Sequence, residues 1–342
     1  MRLYPHLALV KDVPMTNPAR PPLLEVKNVC ASLGGADVLR NVNFSVAAGE
    51  RLGIVGESGC GKTVMGLSIL GLASSAFHLR GEIVFEGRNL LDLPAKAMRH
   101  VRGREISMIF QEPMVTLDPV FTIGEQICET LRTHFKLARK EAREQAIDAL
   151  AQVGIPAPAE RVDDYPHQLS GGMRQRAMIA IALACKPKLI IADEPTTALD
   201  VTVQAQITNL LVELSEKHGT ALLFITHDLG VVAETCDRLI TMYAGQVVEN
   251  AGIDDFLARP LHPYSSGLLR SLPRMSKRKT ALPSIPGRVP TVAEMPAGCR
   301  FEPRCSLAQA PCKAEQSLLP AGEARKVACC RYDELMLPGV LN

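Results

Sequence analysis

The stretch Gly56-Glu57-Ser58-Gly59-Cys60-Gly61-Lys62-Thr63 decides the fold. It fits the spacing G-x-x-x-x-G-K-[ST]. Glycines at these positions let a loop bend until successive N–H groups point inward at phosphate oxygens. Lys62 adds positive charge toward the β- and γ-phosphates, and Thr63 offers a hydroxyl to Mg²⁺. The flanks agree with this reading. Arg51-Leu52-Gly53-Ile54-Val55 reads as a buried strand running into Gly56, and Val64-Met65-Gly66-Leu67 opens a helix. The positive N-terminal end of that helix faces the same anion. Cys60 reads as a small residue tolerated in the loop, not as a catalytic thiol.

Working outward, Leu24 to Val29 and Val42 to Val46 alternate like half-buried strands. Ala142, Ala146, Ile147, Leu150 and Val153 recur at spacings of three and four, one apolar stripe of a helix that Gly154 and Pro156 stop. A second helix runs from Ser170 to about Cys185, ahead of Pro187. Two apolar strands follow. Leu189-Ile190-Ile191-Ala192 runs into Asp193-Glu194, and Ala221-Leu222-Leu223-Phe224-Ile225 runs into Thr226-His227-Asp228. Such runs interleaved with helices indicate an α/β fold with a mostly parallel sheet covered on both faces. Ligands bind outside the ends of such strands. There one carboxylate can hold Mg²⁺ and its neighbour can polarise a water for attack on the γ-phosphate.

Composition bounds the alternatives. The chain has 342 residues, 47% hydrophobic, so it can bury a core and is not disordered throughout. Its 38 Lys+Arg against 36 Asp+Glu give a net charge of +2, too balanced for a surface built to hold nucleic acid. Aromatic content is 4% with no Trp, which leaves few stacking platforms for bases. No apolar run approaches the roughly 18 residues of a membrane span, and no signal peptide is evident. The chain therefore reads as soluble and cytosolic. Residues 1–22 hold five prolines and read as a flexible extension. From Phe256 to Ala293 there are seven basic residues and no acidic ones, which fits a solvated linker face or a contact with anionic lipid.

A third element brings in a family. Leu169-Ser170-Gly171-Gly172-Met173-Arg174-Gln175-Arg176 sets a capping Ser and two glycines at a helix start. Lying between the phosphate loop and Asp193-Glu194, it resembles the signature motif of ABC-type ATPases. In the same order Gln111 resembles the Q-loop, Thr197-Ala198-Leu199-Asp200 the D-loop and His227 the switch histidine. Five further stretches narrow the resemblance to ATP-binding subunits of dipeptide/oligopeptide importers: Asp118 to Ile127, Met173, Met242 to Glu249, His262-Pro263-Tyr264 and Ile285-Pro286-Gly287. It covers Leu23 to Cys330.

The resemblance implies a P-loop ABC ATPase domain, with a mixed sheet core plus a helical subdomain, over residues 23–255. The subdomain falls at about 112–185, and a small cysteine-containing extension covers 256–342. ATP would bind to Gly56, Glu57, Ser58, Gly59, Cys60, Gly61, Lys62 and Thr63 of one chain, and to Ser170, Gly171 and Gly172 of a second, with Asp200 at the interface. Thr63, Gln111 and Asp193 would serve Mg²⁺, Glu194 would activate water, and Gln111 and His227 would sense and stabilise the reacting geometry. The implied partners are two transmembrane permease subunits, a second ATPase subunit (a related chain or another copy) and an extracytoplasmic substrate-binding protein, with no nucleic acid. The place would be the cytoplasmic face of the plasma membrane. The implied function is ATP-driven import of peptides. Alternatives are nickel or another cargo, or a soluble ABC-type ATPase acting on nucleic acid or ribosomes. In one respect the chain departs from the family: where an aromatic usually stacks on adenine, this chain has Leu33.

Ten cysteines are the other unusual feature. Cys30, Cys60, Cys128, Cys185 and Cys236 are scattered. Cys299, Cys305, Cys312, Cys329 and Cys330 crowd the tail. Their spacing fits neither a zinc ribbon nor common ferredoxins, so spacing alone leaves metal binding and reduced structural thiols open. By resemblance to the importer extension, Cys299, Cys305, Cys312 and Cys329 hold a [4Fe–4S] cluster, with Cys330 as the alternative fourth ligand.

Overall fold

In the computed structural model, β1 (Leu24–Leu33) pairs antiparallel with β2 (Ala36–Val46) and with β4 (Phe77–Phe85). The structure describes residues 21–112, 116–197, 199–272, 284–291, 294–322 and 324–340. Most of the proline-rich extension, part of the basic stretch and Ala198 lie outside the described residues. Two compact units divide the described residues: one takes those up to Ala47, Arg51–Asn89 and those from Thr226 on, the other those within Ala48–Glu50 and Leu90–Ile225.

The first unit contains two sheet regions. In the antiparallel one, β5 (Arg88–Asn89) adds to β4, giving the order β2-β1-β4-β5. Alternation builds it: Leu24, Val26, Val29 and Ala31 face the core. In the other, β3 (Arg51–Val55) runs parallel to β9 (Arg238–Tyr243), with Leu52 opposite Arg238 and Val55 opposite Thr241. β10 (Gln246–Gly252) returns antiparallel through the two-residue turn Ala244-Gly245. Two short strands of the tail, β11 (Leu319–Pro320) and β12 (Lys326–Val327), extend this region beyond β10. The tail is thus partly sheet, which the sequence reading of a small cysteine-containing extension did not include: two-residue strands carry no readable alternation. Helix α1 (Lys62–Ile69) follows β3 through the phosphate loop.

The second unit has three parallel strands in the order β6 (Ile106–Ile109), β7 (Leu189–Asp193) and β8 (Ala221–Thr226). All are buried on both faces, as continuous apolar runs require. After α2 (Ala95–Val101) come α3 (Ile123–His134), α4 (Arg139–Gln152) and the short α5 (Pro158–Arg161). Helices α6 (Gly171–Leu183) and α7 (Val201–His218) follow. Thr122 and Glu125 form a capping box that starts α3. The stripe expected on α4 is there, with Ala142, Ala146, Leu150 and Val153 fully buried and Ile147 partly so.

The first unit closes with α8 (Leu229–Thr235), α9 (Ile253–Ala258) and α10 (Pro263–Arg270). Their junction is pinned by Glu249, which is fully buried on β10. Its carboxylate accepts the N–H groups of Leu261 and His262 at 2.8 and 3.0 Å and a bond from Arg325 at 2.9 Å. Among the described residues no helix is long and apolar enough to cross a membrane.

Candidate nucleotide-binding site

In the first unit, β3 delivers the chain to Gly56, and there the glycine is needed for approach. A Cβ would meet the Met242 carbonyl oxygen at 2.3 Å and Cys60 Sγ at 2.8 Å. Gly59 is needed for a different reason: its φ is +78° and a Cβ there would touch nothing. Lys62 is buried and folds its ammonium back over the loop, donating to the carbonyls of Gly56 at 2.8 Å and Glu57 at 3.2 Å. Cys60 Sγ lies 4.0 Å from that ammonium. Burial nevertheless pushes the Cys60 thiol up, against the pull of Lys62. Thr63 is exposed in the first turn of α1, and His227 is exposed in the link between β8 and α8.

In the second unit, Asp193 ends β7 with 2% of its surface exposed. Glu194 follows in the left-handed region, φ 46°, where its N–H donates to Ile225 O at 2.8 Å. Such backbone costs about 1–3 kcal/mol and persists where the surroundings enforce it, often at functional sites. Glu194 Oε2 accepts Thr197 Oγ1 at 2.9 Å and Gln111 Nε2 at 3.3 Å. The structure thus brings together Gln111 and Glu194, 83 residues apart. Ser170 Oγ accepts the Met173 N–H at 3.3 Å and caps α6. A Cβ on Gly171 would meet nothing within 4 Å, and one on Gly172 would reach Val203 Cγ1 at 3.1 Å. Asp200 caps α7 by accepting the Val203 N–H at 3.0 Å, so the starts of α6 and α7 meet at Val203. Thr197 was quoted in the sequence without a role; a hydroxyl three residues after a carboxylate was its only signal. Leu33 is exposed at the end of β1, and the register sets Phe77 of β4 opposite it.

The tail thiols are a partial correction. Cys299, Cys305, Cys312 and Cys329 line one cavity together with Phe301, Leu307 and Leu335. Cys330 is exposed, with its sulfur 4.0 Å from that of Cys312. Yet among the described residues no group of three or more His, Cys, Asp or Glu is gathered to hold a metal ion. The iron–sulfur expectation is met only as far as a shared cavity. Burial raises Cys299 to about 11 and Cys329 to about 12, as for neutral thiols packed among apolar side chains.

Comparison with known proteins places the chain in a family. The family model described as ABC transporter matches residues 39–197, and that of the oligopeptide/dipeptide transporter C-terminal region matches residues 248–312. A probable peptide ABC transporter ATP-binding protein of Sinorhizobium fredii, y4tR, is 51% identical over 94% of this chain and 98% of its own length. The oligopeptide transport ATP-binding protein AppD of Bacillus subtilis is 51% identical over 86% of this chain and 90% of its own. The dipeptide transport ATP-binding protein DppD of Escherichia coli is 49% identical over 85% and 89%. Among solved structures, the ATP-binding cassette MJ0796, a dimer bound to ADP and Pi, superposes with a TM-score of 0.60 at 30% identity. That match covers 67% of this chain and 98% of the cassette.

Proposed function

The chain belongs to the ATP-binding proteins of peptide ABC transporters, and from that premise we infer how its residues divide the work of an ATPase that powers peptide import. The amides of Gly56 to Thr63 and the Lys62 ammonium hold the phosphates of ATP. Thr63, Gln111 and Asp193 hold Mg²⁺; their hydroxyl, amide and carboxylate oxygens suit a hard cation, and Asp193 ends its strand with a buried carboxylate. Held by these residues, Mg²⁺ would supply positive charge against that developing on the phosphate oxygens. Glu194 orients and polarises the attacking water, with Gln111 and Thr197 fixing its carboxylate. His227 stabilises the reacting γ-phosphate.

The Ser170-Gly171-Gly172 helix start serves the ATP held by a second nucleotide domain, with Asp200 beside that contact. The openness around Gly171 supports this, because no atom of the described residues lies within 4 Å of a Cβ placed there. The observation that carries the reading is the Glu194 carboxylate held by two donors at the end of an apolar strand, in a chain that also has a complete phosphate loop. We further propose a peripheral place at the cytoplasmic face of the membrane, with two permeases, a second ATPase subunit and an extracytoplasmic binding protein. The domain division at residues 23–255 and 256–342 belongs to the same reading.

The test is reconstitution with those partners in liposomes. Di- or oligopeptides delivered by the binding protein are expected to stimulate ATP turnover. Stimulation by nickel complexes or sugars, with none by peptides, would contradict the cargo.

For the tail cavity, the four thiols that line it give the ligand count of a [4Fe–4S] cluster. We propose Cys299, Cys305, Cys312 and Cys329 as its ligands, serving as a structural pin for a small module. Chain purified without oxygen should carry about four iron atoms and matching sulfide. A folded tail free of iron would contradict it.

A further inference from the structure

Glu57 places a carboxylate inside a loop built to attract an anion. Left alone it would repel the phosphates and compete with them for Lys62, which already donates to the Glu57 carbonyl. Arg304 answers that charge from the far end of the chain. Its Nη1 donates to Glu57 Oε2 at 2.8 Å and its Nη2 to Oε1 at 3.1 Å, a two-pronged pair that a lysine cannot copy. The Arg304 side chain is 6% exposed and that of Glu57 28%, so solvent screens the pair only in part.

The guanidinium is itself held in place. Nε donates to Pro286 O at 2.8 Å, and the group lies 5.7 Å from the Tyr243 ring centroid and 6.0 Å from that of Phe301. Two further bonds fasten the same loop. The Glu57 N–H donates to the Tyr264 hydroxyl at 2.9 Å, and Cys60 O accepts the N–H of Gly245 at 2.9 Å. Arg300, four residues before Arg304, donates to the carbonyl of Ala244 in that same turn. Tyr243, Tyr264 and Phe301 pack as one aromatic cluster, with ring centroids 4.7 to 5.4 Å apart, and Cys299 and Cys305 lie against it.

We propose that Arg304 is a positioning residue for nucleotide binding: it neutralises Glu57 and fixes the phosphate loop so that its amides and Lys62 meet the phosphates. The cysteine turn that carries Arg304 thereby becomes part of the support of the ATP site. This rests on the ATPase reading.

The experiment titrates MgATP onto the full chain, measuring dissociation constants by calorimetry and KM beside kcat. Arg304→Met should weaken MgATP about ten-fold, and the loss should fall on KM more than on kcat. Adding Glu57→Gln to Arg304→Met should recover affinity to within about three-fold of the unsubstituted chain, since no unpaired carboxylate then remains. A purely structural role for Arg304 would leave the double variant as weak as the single. That result, or wild-type affinity in Arg304→Met, would overturn the proposal. Should Arg304→Met fail to fold, Arg304→Lys carries the test: about three-fold weaker binding supports the fork, and unchanged binding contradicts it. Failure of the unsubstituted chain to bind MgATP would overturn the ATPase reading as well, and is read from that chain alone.

Discussion

The phosphate loop, residues 56–63, and the cysteine turn, residues 299–305, are both short segments of the same compact unit, yet different atoms shape them. Backbone shapes the loop: Gly56 lies against a strand carbonyl, Gly59 takes a positive φ, and Lys62 folds onto the loop's own carbonyls. Side chains shape the turn. Phe301 packs on two tyrosines, Arg300 and Arg304 reach out to other segments, and thiols line the cavity. A backbone-built site writes its requirements into consecutive residues. A side-chain-built one spreads them over partners far away in the chain.

That contrast can be sharpened by substitution. The largest effect is expected at Glu249, the buried carboxylate that joins β10 to the start of α10 and to Arg325 of the tail. Glu249→Ala leaves two amides without their acceptor and the Arg325 guanidinium without its carboxylate, with only the Arg259 carbonyl still accepting from it, and should cost about 3–5 kcal/mol in denaturant unfolding. A loss below about 1 kcal/mol would show that side chains do not hold the tail together. Lys62→Ala comes next. It removes the loop's one ammonium and should lower steady-state ATP turnover at least about 100-fold, a barrier of about 2.7 kcal/mol. Unchanged turnover would show that backbone alone makes the site. Gly59→Ala should be smallest, about 1–2 kcal/mol of stability by thermal melting, because only the positive φ opposes it. A larger loss would mean that a neighbour, and not the backbone, sets that position.

The same contrast explains what could be read in advance. Strand β3 matches its sequence reading residue for residue, and the apolar runs of β7 and β8 are strands, because continuous burial leaves a local pattern. Ser170 caps its helix as its position before two glycines suggested. β4 was missed because much of it is exposed and its alternation is broken around Gly81. Gln111 and Glu194 were each singled out through family order, but their contact was not read, since no local feature joins residues 83 apart. The Glu57–Arg304 pair spans 247 residues and left a single hint, an acid inside an anion-binding loop.

The most direct test of the ATPase reading is Glu194→Gln. The amide keeps an oxygen for Thr197 and Gln111 but gives up the charge that polarises water. ATP turnover should fall at least about 100-fold while MgATP affinity stays within about three-fold of the unsubstituted chain. Turnover that survives the substitution would contradict the assignment of Glu194 and the division of labour built on it.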